Sequence, residues 1–156
     1  MKKILLSFVL CLFAIIAFAQ KGTIKYLESR PGIYPVMLND SVTKHLKVLT
    51  LIGDVKNGGG YARLDEDYCM IETANIEDVV LTFKKYQINN ILFYVSRTFK
   101  KECFEELKKL YGEPILKDGT YWWEYKGLVL SYEMDSKDAK MPGQAVGLFM
   151  RKQDLK

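Results

Sequence analysis

The stretch "TYWWEYKGLVLSYEM", Thr120 to Met134, constrains the fold more than any other part of the chain. Side chains alternate between faces along an extended backbone. Tyr121, Trp123 and Tyr125 therefore point one way, and Trp122, Glu124 and Lys126 the other. After Gly127 the residues Leu128, Leu130, Tyr132 and Met134 share one side. A two-residue turn at Lys126-Gly127 sets Tyr125 opposite Leu128, Trp123 opposite Leu130 and Tyr121 opposite Tyr132. Every pair on that face is apolar or aromatic, so the spacing predicts a hairpin with this face in a core. Trp122 shares its face with Glu124, Ser131 and Glu133, a composition suited to water. A large ring there covers a neighbour or awaits a partner.

The flanking segments extend the pattern. In "TFKKECFEELKKLYGEP" the residues Phe99, Cys103, Leu107 and Leu110 recur at helical spacing, with Phe104 and Tyr111 beside the stripe. Gly112 fits the left-handed position after a helix, and Pro114 blocks continuation. A second helix is expected in "NDSVTKHLKVLTLIGD": Asp40 or Ser41 can cap it, Val42, Leu46 and Leu49 share a face, and Gly53 can close it. Its threonines and valines weaken the helical propensity. Val79, Leu81 and Phe83, then Ile91, Phe93 and Val95, alternate as two strands of a hairpin joined through Lys85 to Asn90. A last strand is expected in "QAVGLFMRK". The stretches Leu51–Leu64 and Leu110–Trp123 both run from a helix end through Gly, acid, polar loop and glycine to a Tyr-led strand. A tandem helix-then-three-strand repeat is one reading of this match, and chance is the other, since helix-Gly-loop-strand is a common order. The predicted class is α+β: an antiparallel sheet covered on one face by two helices.

The chain opens "MKKILLSFVLCLFAIIAFAQ", with Lys2 and Lys3 before an apolar run and Ala17-Phe18-Ala19 in the small-x-small form of a cleavage site. Residues 1–19 are expected to be a signal peptide cleaved after Ala19, and residues 20–156 a single domain in the periplasm or the secreted fraction. The apolar run is shorter than the roughly 20 residues of a spanning helix, so no stable membrane span is expected after cleavage. Cys11 lacks the small residue before it that lipidation requires. Two of the 23 Lys and Arg lie in this segment; the other 21 stand against 19 Asp and Glu, a net of about +2 that argues against a nucleic-acid binder.

The phrases "VVLTFKKYQINNILFYV" and "FEELKKLYGEPILKDGTYWWEYKGLVLSY", following an export signal, resemble small secreted bacterial proteins of unknown function. In the order of elements from Val42 to Arg151 the chain is also similar to the beta-lactamase inhibitor protein family and to the outer-membrane assembly lipoprotein family, built from a helix plus antiparallel strands. The lipid-bearing cysteine of the assembly family has no counterpart here, and no inhibitory residue of the inhibitor family matches a position.

Little in the sequence carries reaction chemistry. His45 is the sole histidine, which removes His-rich zinc sites and leaves one base for a nucleophilic dyad. Cys69 and Cys103 are candidates for one disulfide in an oxidising compartment, or for buried thiols. "NGGGY" precedes a strand instead of a helix and reads as a turn, not a phosphate cradle. Asp65, Glu66 and Asp67 lack the spacing of a calcium loop and read as a solvated corner, as do Asp135 and Asp138. No metal or cofactor is expected. The leading expectation is a non-catalytic interaction module whose partner is a protein or envelope component. Its expected surface is Trp122, Glu124, Ser131 and Glu133, with Arg97 and Lys100 as a weaker addition. A small hydrolase using Cys69 or His45 is the alternative, and a periplasmic assembly factor or protein inhibitor a third.

Overall fold

The computed structural model describes residues 22–155. The expected signal peptide, residues 1–19, and its cleavage point lie outside the described residues. Within them, one eight-stranded antiparallel sheet dominates. Its strands are β3 (Leu49–Lys56), β4 (Gly59–Leu64), β7 (Asp78–Lys84), β8 (Gln87–Val95), β9 (Ile115–Lys117), β10 (Thr120–Tyr125), β11 (Leu128–Glu133) and β12 (Ala145–Arg151). Two short two-stranded pieces, β1 (Gly32–Ile33) with β2 (Val36–Met37) and β5 (Met70–Ile71) with β6 (Ala74–Asn75), stand apart from it. The helices are a single turn, α1 (Tyr26–Ser29), and α2 (Lys100–Tyr111). None among the described residues is long and apolar enough to cross a membrane.

The strand order β3-β4-β7-β8-β12-β11-β10-β9 consists of two four-strand meanders. Each starts at an outer edge and runs inward, and they meet where β8 pairs with β12. α2 connects the end of one meander to the start of the other. The expected pairing of the aromatic hairpin holds residue for residue: Tyr121 faces Tyr132, Trp123 faces Leu130 and Tyr125 faces Leu128. Lys126 and Gly127 both take positive φ, the two-residue turn that suits the twist of a hairpin.

Trp123 is 1% exposed, and Leu130 and Tyr132 are buried with it. Phe104 of α2 lies over this face, its ring centroid 4.3 Å from that of Tyr121 and 6.1 Å from that of Tyr132. The polar tips of these aromatics bind the two ends of the helix. Tyr132 Oη donates to the carbonyl of Lys100 at 2.7 Å, and Trp123 Nε1 to that of Gly112 at 2.8 Å. A buried aromatic with a polar tip is stable only with such a partner. Gly112 takes φ 81° and ends α2 as expected.

The helix expected between Asp40 and Gly53 does not form. Val42–His45 is one 3-10 turn, and the chain then extends as β3. The β-branched residues Val48, Thr50, Ile52 and Val55 favour a strand, and β4 supplies the partner that a helix would have forfeited. Gly53, with φ 70°, lies where the β3–β4 register shifts, so it marks a bulge instead of a helix end. The tandem unit dissolves for the same reason. What Leu51–Leu64 and Leu110–Trp123 share is an edge hairpin, turning at Asn57-Gly58 and at Asp118-Gly119.

Candidate functional site

The face of the sheet opposite α2 carries a continuous row through all eight strands. Ile115 pairs with Trp122, Trp122 with Ser131, Ser131 with Leu148, Leu148 with Leu92 and Leu92 with Val80. Arg63 and Thr50 finish it. At the β9 end this row borders a cleft of about 650 Å³ lined by Ile24, Glu113, Ile115, Trp122, Glu124 and Leu155, among others. Trp122 is half-buried, whereas Ile115 and Leu155 are exposed. An apolar wall with a carboxylate rim is the form of a surface that takes an apolar group and orients it by charge.

Of the expected surface, Trp122 and Ser131 are direct cross-strand neighbours. Glu124 is exposed and accepts from Lys152 Nζ at 2.6 Å. Glu133 is turned to the β11–β12 connection, where it accepts from Ser136 Oγ at 2.7 Å. The same connection holds the weaker pair. Lys100 Nζ donates to Asp135 and to the carbonyl of Gly143, and the stem of Arg97 lies along Gly143. Ile115 and Leu155 were missed. Ile115 sits in "ILKDG", which reads as a polar loop; its one signal is the Asp-Gly turn that makes it a strand.

The two cysteines are separate buried thiols, so the bridge considered for Cys69 and Cys103 does not form. Cys69 Sγ lies 3.6 Å from the carbonyl of Asp65 and 3.8 Å from that of Leu64, as a weak donor to both. Burial first, and the nearby carboxylates of Asp78 and Glu66 second, push its pKa up to about 11. Burial likewise raises Cys103 to about 12. A nucleophilic thiol needs the opposite shift. His45 is engaged elsewhere, its Nε2 lying 3.0 Å from Asp40 Oδ2. Among the described residues no three His, Cys, Asp or Glu side chains converge in a way that could hold a metal ion.

Both thiols should resist iodoacetamide in the folded protein at pH 8, and their reaction should rise only as the pH nears 11, because the thiolate is the reactive form. In denaturant both should be labelled at once. Intact-mass analysis reads this directly, and fast labelling of one native thiol at pH 7 would contradict the buried, protonated state.

Comparison with protein-family models, with curated proteins and with solved structures finds no match in any of the three.

Proposed function

We propose that the chain is an exported interaction module of the bacterial envelope or secreted fraction that works by binding and not by catalysis. The cleft beside Trp122 is its contact surface. Its partner is another protein, which presents an apolar side chain to the wall formed by Ile115, Trp122 and Leu155. The observation that carries this is the placement of Trp122: a large ring, half-buried, on the side of the sheet away from the aromatic core, and bordering an open cleft. Aromatic side chains at the centre of such clefts supply a large share of contact energy. The raised thiol pKa values and the engagement of His45 with Asp40 favour binding over the hydrolase alternative. Export rests on the Lys2-Lys3, apolar run and Ala17-Phe18-Ala19 pattern. An assembly-factor or inhibitor role differs from this proposal only in the identity of the partner.

Trp122→Ala should fold normally and cost about 1 kcal/mol, well under the ~3 kcal/mol of a buried Trp. Envelope protein captured by the immobilised wild-type domain should fall about tenfold with the variant, the loss of one central aromatic anchor. Equal capture by both proteins would remove this cleft from consideration. So would a loss of stability as large as that of a core tryptophan.

A further inference from the structure

A second cleft, of about 370 Å³, shares no lining residue with the one at Trp122. It lies between the two small hairpins that stand apart from the sheet. Arg30, just before β1, and Tyr34, in the β1–β2 turn, line one side. Asp67, Tyr68, Met70 and Glu72, from the segment around β5, line the other. Its volume falls in the range of small-molecule sites.

The two sides are held to each other and to the core. Arg30 Nη1 donates to Glu72 Oε1 at 2.8 Å across the cleft. The carbonyl of Arg30 accepts from Oη of the buried Tyr111 at 2.9 Å, which ties this side to the end of α2. Tyr68 closes the 3-10 turn Glu66–Tyr68, its amide donating to the carbonyl of Asp65 at 3.0 Å. Glu72 holds φ 53° in the two-residue β5–β6 turn. That conformation is the habit of Gly, Asn and Asp. A glutamate there is strained, and such strain gathers at ligand sites.

Several groups in the cleft are left unused by the fold. Tyr34 is 64% exposed, Met70 41% and Tyr68 39%. Among the described residues neither tyrosine stacks on another ring, neither hydroxyl is bonded to the protein, and Asp67 has no cationic partner. The mixed charges narrow the ligand class. An anion meets the carboxylates of Asp67 and Glu72, and a cation meets the guanidinium of Arg30. A purely apolar group would strip water from all three and return no hydrogen bond. A proline-rich peptide brings acceptors without donors, whereas carboxylates only accept. A sugar hydroxyl both donates and accepts, so it serves carboxylate and guanidinium alike. A pyranose with equatorial hydroxyls also carries C–H groups on both faces, which suit the electron-rich faces of tyrosine rings.

We infer that this cleft is a carbohydrate site for a short run of equatorially substituted pyranose rings, as in a β-linked glucan. Tyr34 and Tyr68 take the ring faces. Asp67 and the Arg30–Glu72 pair take the hydroxyl edge.

Cellotetraose is the probe, added to the intact domain and read by calorimetry and by amide hydrogen exchange. Binding should release heat, protect the amides of residues 66–72 and be insensitive to salt, because the ligand is neutral. Tyr34→Ala and Tyr68→Ala should each weaken it about tenfold, while Tyr34→Phe and Trp122→Ala should bind as the wild type does. Both tyrosines are exposed, so the alanine variants should unfold near the wild-type urea midpoint. Glu72→Gly suits the positive φ and should keep the fold, yet still weaken binding. No heat at ~10 mM sugar would overturn the assignment, as would binding that both alanine variants leave unchanged. Protection of residues 66–72 by a cationic or proline-rich peptide, with none by cellotetraose, would give the cleft to a peptide instead.

Discussion

Trp123→Ala should cost about 3–5 kcal/mol, the range for deleting a fully buried aromatic. The ring is enclosed by the sheet and by Phe104, and its Nε1 holds the carbonyl of Gly112 at the end of α2. Removal leaves both a cavity and an acceptor without its donor. Trp123→Phe separates the two contributions: it keeps most of the packing and should lose only about 1–2 kcal/mol, largely the hydrogen bond. Urea unfolding followed by circular dichroism measures each. The contrast with Trp122→Ala is the sharper test, since the two tryptophans are sequence neighbours on opposite faces. Equal losses at the two positions would show that the alternation of β10 has been misassigned.

Gly147→Ala should cost about 3 kcal/mol, at the upper end for overpacking a filled core. Gly147 of β12 faces Phe93 of β8, and a Cβ there would lie 2.0 Å from Cζ of that ring. Phe93 is itself buried, and its centroid is 5.8 Å from that of Phe149 and 6.2 Å from that of Tyr132. The ring fills the space that glycine leaves, so it has nowhere to go. Phe93→Leu in the Gly147→Ala background should recover part of the loss; failure to recover any would place the strain elsewhere.

Those two sites also indicate what a sequence can disclose. The β10–β11 register was legible because Tyr121, Trp123 and Tyr125 share the core face with Leu128, Leu130 and Tyr132, and the tight turn at Lys126-Gly127 fixes which residue faces which. α2 was legible from its stripe and from Gly112. β3 was not. An edge strand exposed on both faces has no reason to alternate, and Val42, Leu46 and Leu49 happen to share helical spacing. The β7–β8 turn was read as long because Lys85 and Tyr86 hold positive φ without the glycine or asparagine that announces it. For the site, the placement of Trp122 on the face away from the aromatic core followed from strand alternation. Of its neighbours, Ile115 lies just across the Asp118-Gly119 turn, whereas Leu155 comes from the far end of the chain and only folding brings it to the cleft. The thiols were ambiguous for the same reason: whether Cys69 and Cys103 bridge depends on a distance that spacing does not encode.

The seam between the meanders has a kinetic consequence. Inside each meander, neighbouring strands are joined by tight turns or by links no longer than residues 65–77, so their contacts are closer in sequence; Ala145 and Val95, by contrast, pair across about fifty residues. Closing a loop of that length is entropically costly before any contact rewards it. The two halves are therefore expected to organise separately and dock late. Gly147→Ala, lying on that late junction, should accelerate unfolding while leaving the refolding rate almost untouched.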